Sequence, residues 1–180
     1  MINSLTIGLH VLCAGIFVGA NVFLDFLLTP RLELIPPGQA ARLGDRLGVD
    51  FARLIWATLI GLPATGLLML LRFGLWGDLV DYQFYLTGYG SALLFMIVIW
   101  LTVTVNGAIL TFYLRPRVIV KLPYDATRQE IEDKRNAAPD AAAWMRRLAR
   151  YNAIAGMVGV MVGGFLRFGG FFEGTLGSPW

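Results

Sequence analysis

Residues 89–114, YGSALLFMIVIWLTVTVNGAILTFYL, contain no charged side chain, and that run constrains the chain more than any other feature. An α-helix rises 1.5 Å per residue, so about 20 such residues cross the ~30 Å hydrocarbon layer of a bilayer. Three further stretches are as long and nearly as apolar, which places predicted spans at about 4–29, 52–73, 88–114 and 151–172. The last, YNAIAGMVGVMVGGFLRFGGFF, is interrupted only by Arg167. Charged residues are 15% of the chain, against roughly 25% in soluble domains. Together with a mean hydropathy of +0.65, this makes lipid the expected solvent. The resulting fold class is all-α: a polytopic membrane protein with a four-helix bundle, forming one domain over residues 1–180 with no repeat evident.

Basic residues set the expected orientation, because lysine and arginine are retained on the cytoplasmic side. Arg31, Arg42, Arg46 and Arg53 lie in or beside the first connection, and nine basic residues fall between Arg115 and Arg150. The second connection carries only Arg72, with Asp78 and Asp81. Both termini are therefore expected outside, in a cytoplasmic (inner) membrane of bacterial type. The same distribution accounts for the net charge of +3 without nucleic acid, so none is expected as a partner. The N-terminus lacks the basic start of a signal peptide and reads as a retained first helix. The segment PPGQAARLGDRLGVDF is expected to hold a short amphipathic turn at the inner interface. Asp125 can cap a helix in the cytoplasmic loop 115–150. From Pro139 no helix breaker precedes the fourth span, so extension and span read as one helix of about thirty residues.

Helices in lipid gain little from burying apolar area and rely on close packing and internal hydrogen bonds. Gly15 and Gly19 in the first span, and Ala155, Gly159 and Gly163 in the fourth, form four-residue stripes that suggest direct contact between these spans. Asn21 and Asn106 both fall about 7 Å to the basic side of the midplane, which suggests an amide pair. Asp25 and Arg53 share an inner depth, which suggests an ion pair. Pro63 cannot donate to the carbonyl of Leu59 and should kink the second span.

His10 is the only histidine and Cys13 the only cysteine. Spaced i, i+3, they share a helix face, about 9 Å outward of the midplane. Met69, Met96 and Arg167 come to nearly the same level on other spans. Imidazole, thiolate and thioether are the ligand types that suit Cu(I), giving His10, Cys13, Met69 and Met96 as a candidate copper set. His10 can alternatively hold haem b axially, with Arg167 paired to a propionate. A third reading leaves His10 bonded to a neighbouring helix. No catalytic constellation is present: one histidine excludes HExxH, and no acid stands near the Cys–His pair.

The arrangement "LH" near the outer end of the first span, then "GIFVG", then "FLLTPRL", resembles the copper-resistance D (CopD-like) membrane proteins. It is also similar to the related four-helix protoporphyrinogen oxidases of bacteria (the HemJ type). "FYLRPRV" closing the third span and "RRLARYNAIAGMVGV" opening the fourth fit the same plan. The resemblance implies that His10 occupies a position associated with copper or haem, and it admits protoporphyrinogen oxidation as a further alternative. The basic residue expected near the start of the third span of the oxidases is missing from TGYGSALLFM. Few reactive groups in the spans, many aromatics and the glycine stripes point to a non-catalytic accessory subunit packed beside other membrane proteins in an energy-transducing assembly. Copper or haem binding through His10 is the alternative.

Overall fold

Leu5, Val11, Leu12, Ile60, Leu71, Val105 and Met161 lie on the outside of this protein, while Thr6, Asn21, Asp25, Thr58 and Asn152 are buried inside it. Exposed apolar and buried polar side chains are the reverse of a water-soluble arrangement and suit a lipid exterior. The computed structural model describes residues 2–32, 34–35, 37–118, 127, 129–130, 133 and 139–166. It contains four helical segments long and apolar enough to cross a membrane: Ser4–Leu32, Arg46–Arg72, Gly88–Arg117 and Ala143–Leu166, here spans one to four. No strand occurs among the described residues. The chain is an all-α membrane protein.

Two connections differ in how they join the spans. The segment expected to form a separate amphipathic turn is instead continuous with span two, in a single helix Pro37–Arg72. No proline interrupts it between residues 38 and 62, so nothing stops the helix from propagating outward from the bilayer. Span four behaves as its sequence suggests, continuous with the preceding segment in the helix Pro139–Leu166. Of the helix expected behind Asp125, residues 129–130 and 133 are helical, and Asp125 itself lies outside the described residues. Between spans two and three the chain turns at Gly74 (φ 75°), where the amide of Leu75 donates to the carbonyl of Leu70. Span three then starts at Thr87, whose hydroxyl oxygen accepts from the amide of Gly90 at 3.0 Å.

Pro63 lies inside the helix of span two and withholds a donor from Leu59, as expected. The vacancy is filled from span three: the Trp100 indole N–H donates to the Leu59 carbonyl at 2.9 Å. Leu59 also lies at the centre of the core, with Phe17 of span one, Ile55 of span two, Val103 of span three and Ala155 of span four.

Spans one and three end alike. Each widens into a six-residue π-helix, Phe23–Leu28 and Ile109–Leu114, followed by a four-residue α-turn, Thr29–Leu32 and Arg115–Val118. A proline ring clashes with the carbonyl four residues earlier, and a widened turn just before Pro30 and Pro116 relieves that clash. The two segments, FLDFLLTPRL and ILTFYLRPRV, carry the same residue at Leu24 and Leu110, Phe26 and Phe112, Leu28 and Leu114, Pro30 and Pro116, and Arg31 and Arg117. At the same offset, Thr6 and Ala92, Phe17 and Val103, and Asn21 and Gly107 are all buried. Span three therefore repeats the pattern of span one, a correspondence the sequence reading did not find.

Candidate functional site

Span one runs against span two in antiparallel register, with His10 level with Thr65 and Cys13 level with Gly61. His10 Nδ1 lies 2.8 Å from the Thr65 hydroxyl oxygen. That hydroxyl also lies 2.7 Å from the Gly61 carbonyl and 3.1 Å from the Leu62 carbonyl, both of which can only accept. Both carbonyls and His10 Nδ1 compete for the single hydroxyl proton, so which of Thr65 and His10 donates follows the tautomer of the ring.

Two glycines of span two make room for these side chains. A Cβ on Gly66 would stand 3.5 Å from His10 Cε1, and a Cβ on Gly61 would stand 2.8 Å from Cys13 Sγ. The thiol therefore occupies space that a side chain at Gly61 would need. Met69 continues the row Gly61, Thr65 along span two; it is half-buried and level with the buried Thr6. Met96 belongs to another seam, its Cε 3.5 Å from where a Cβ on Gly163 would be. The structure thus brings His10 and Cys13 to one seam, with Met69 one turn further along it, and turns Met96 toward span four. Arg167, the propionate partner in the haem alternative, lies outside the described residues. No group of three or more His, Cys, Asp and Glu side chains suited to a metal occurs among the described residues. A metal at His10 would therefore depend on imidazole and sulfur, the soft set that suits Cu(I).

The opposite end of the bundle is rich in arginine, and its polar pairs differ from those expected on depth alone. Asp25, buried in the π-helix of span one, accepts from Arg150 Nε of span four at 3.2 Å. Arg53 instead meets Asp50 at 3.4 Å, both side chains solvent-exposed. Asn106 donates to Asn152 of span four at 3.3 Å, while Asn21 donates to the Phe17 carbonyl of its own helix at 2.8 Å. Spans one and four do touch, but through Phe17 and Val18 against Gly156; Gly15 and Gly19 are exposed and have nothing within 4 Å. Gly159 and Gly163 face Ile99 and Met96 of span three. Equal depth fixes a level and leaves the direction around the helix open, which is why these partners differ.

Thr65, Gly61, Gly66, Arg150 and Asn152 are the contributors that the sequence reading missed. Thr65 carried a signal, being a hydroxyl on the same half of span two as Met69. Arg150 carried none, since it reads as part of a solvated extension.

The sequence model of the family described as CopD, copper resistance protein D, matches residues 45–166. No significant match is found among curated proteins or solved structures. The family match covers spans two to four, and span one with His10, Cys13 and Asp25 precedes it. Matched over more than half its length by this membrane family, and folded as four spans, the chain belongs to the copper resistance protein D family.

Proposed function

We propose that this protein handles monovalent copper within the membrane, with His10 and Cys13 as its donors. The observation that carries the reading is the Thr65 hydroxyl of span two, 2.8 Å from His10 Nδ1. It ties Nδ1 to span two and leaves Nε2 as the atom through which the ring would bind a metal, on the same helix face as a thiol. A ligating histidine is ordinarily held in this way through its other nitrogen. Met69 is the nearest thioether along the seam, and Met96 lies against Gly163 of span four. The arginine-rich end is assigned to the cytoplasm and the His10 end to the outer side of a bacterial inner membrane. Purified protein titrated with Ag(I), as a redox-inert stand-in for Cu(I), should bind it, and His10→Ala should lose that binding. A wild-type protein that binds neither Ag(I) nor Cu(I) would end the reading.

A second reading, as an accessory subunit beside other membrane proteins, is favoured by the uncovered Gly15–Gly19 face of span one. Small residues four apart allow close backbone approach by another helix. Gentle extraction from the native membrane should then recover a larger complex, whereas a lone monomer would remove the support for it.

A further inference from the structure

Spans three and four run antiparallel, with Asn106 meeting Asn152, Ile99 meeting Gly159 and Met96 meeting Gly163. On their lipid-facing side lies a groove of about 220 Å³, lined by Leu101, Thr102, Val105 and Asn106. Leu101 and Val105 are exposed and form its rim. Its polar side chains are spent on the bundle. The Thr102 hydroxyl donates to the Ile99 carbonyl at 2.8 Å and accepts from the Tyr151 hydroxyl at 3.2 Å, while the Asn106 amide donates to Asn152. What the groove offers an occupant is hydrocarbon contact, which suits an alkyl chain.

Tyr151 sets the groove beside an outward stripe of span four. Trp144, Arg147, Tyr151, Ile154 and Val158 recur every three or four residues, the spacing of one helix face, and all five are exposed. From Asn152, at the groove, to Trp144 is about 12 Å at 1.5 Å per residue. The same register brings Tyr113 of span three level with Trp144. At that level two guanidiniums rest against exposed aromatic rings. Arg117 lies 3.4 Å from the Tyr113 ring centroid, and Arg147 lies 5.8 Å from that of Trp144. Arg150, by contrast, is taken by Asp25. A guanidinium lying on a ring keeps its N–H edge for an anion, and that edge matches phosphate in bidentate fashion. Tryptophan and tyrosine are the side chains that settle at headgroup level.

We infer that spans three and four hold an anionic phospholipid of the leaflet at the arginine-rich end, its phosphate at Arg117 and Arg147 and one acyl chain in the groove beside Tyr151. Charge complementarity picks the headgroup, since two guanidiniums attract an anion and repel the choline of a zwitterionic lipid. Basic pockets between spans bind anionic headgroups in this way. The depth fits as well. A chain descending from a phosphate at the level of Trp144 reaches the groove after about 12 Å, within the ~15 Å of hydrocarbon in one leaflet. His10 and Cys13 lie on another seam, between spans one and two, so this site is independent of copper handling.

The test uses the full chain in phosphatidylcholine vesicles carrying a trace of phosphatidylglycerol or phosphatidylcholine, spin-labelled midway along one acyl chain. The immobilised fraction of the label reports a chain held against the protein. Wild type should immobilise labelled phosphatidylglycerol in preference to labelled phosphatidylcholine. Arg117→Gln and Arg147→Gln should each lower that preference about fivefold. Both arginines are exposed, so the fold should persist. Val105→Trp fills the groove from its rim and should bring phosphatidylglycerol down to the phosphatidylcholine level. Leu101→Trp, on the same rim, carries this arm if the first variant does not fold. Excess inorganic phosphate should change nothing. Equal immobilisation of the two lipids by wild type would overturn the inference. So would a preference that survives the tryptophan substitutions, since anionic lipid would then gather at the basic surface without a chain in the groove. Displacement of the label by inorganic phosphate would overturn it as well, assigning the arginines to a free anion.

Discussion

The indole N–H of Trp100 donates to the carbonyl of Leu59 at 2.9 Å, and Leu59 is the residue that Pro63, four positions on, leaves without its helical donor. A carbonyl stranded in hydrocarbon has no water to turn to, so a side chain from span three completes the backbone of span two. The bond fastens two spans whose other described contacts include Leu59 beside Gly107 and Trp56 donating to Thr111 at 3.3 Å.

Trp100→Phe should therefore cost about 1–3 kcal/mol, the range for leaving a buried acceptor unpaired. Pro63→Ala restores an N–H to Leu59, so the same tryptophan substitution should cost less in that background. A double-mutant cycle on unfolding in detergent separates this coupling from the packing lost with the indole. Strictly additive effects would show that the indole N–H does not replace the missing helical donor.

Asp25 and Arg150 should respond unequally to removal of the other. Arg150→Gln strands a carboxylate whose side chain is 6% exposed, and should destabilise by about 3 kcal/mol. Asp25→Asn leaves an arginine that is 63% exposed and can reach water, so about 1 kcal/mol is expected. The double variant should be more stable than Arg150→Gln alone. If Arg53→Gln were the more damaging change, the ion pair inferred from depth would have to replace the observed one.

Glycines on the two faces of the bundle should behave differently. Gly61→Ala places a Cβ against Cys13 Sγ and should destabilise by about 1–3 kcal/mol through overpacking. Cys13→Ala should relieve much of that in the double variant. Gly15→Ala and Gly19→Ala meet no atom within 4 Å and should leave the fold unchanged. If they nonetheless dissociate a native complex, the accessory-subunit reading gains its contact face.

The spans were legible because length and apolarity alone decide them. The unbroken entry into span four was legible because no proline or glycine intervenes between Asp140 and Tyr151. The partners of Asn21, Asp25 and Asn106 were not, because depth along a helix carries no information on which neighbour a side chain faces. The π-helices compound this: each inserts a residue into its turn and rotates the helix beyond it, so a face extrapolated from His10 would drift before reaching Arg31. FLDFLLTPRL and ILTFYLRPRV were open to comparison, but half their positions differ. Their likeness becomes evident when both are seen to widen before the same proline. Of the candidate site, the pairing of His10 with Cys13 came from spacing. The role of Thr65 needed the register of span two, which only packing supplies.

That register yields a direct test of how His10 is held. Thr65→Val keeps the shape of the side chain and removes the oxygen bonded to Nδ1, so the ring loses the partner that orients it on span two. Metal affinity typically falls 10–100-fold on loss of such a partner, so Ag(I) should bind about that much more weakly to Thr65→Val. Thr65→Ser, which retains the hydroxyl, should stay close to wild type, and His10→Ala should lose binding altogether. Unfolding measured on the same variants separates the two roles of the bond. A purely interhelical hydrogen bond contributes about 0.6 kcal/mol, a small change shared by Thr65→Val and His10→Gln. A loss of Ag(I) affinity much larger than that energy, in Thr65→Val alone among the two threonine variants, assigns the hydroxyl to orienting a ligand. Equal binding by wild type and Thr65→Val would leave His10 as a helix–helix contact and move the search for copper donors to Cys13 and Met69.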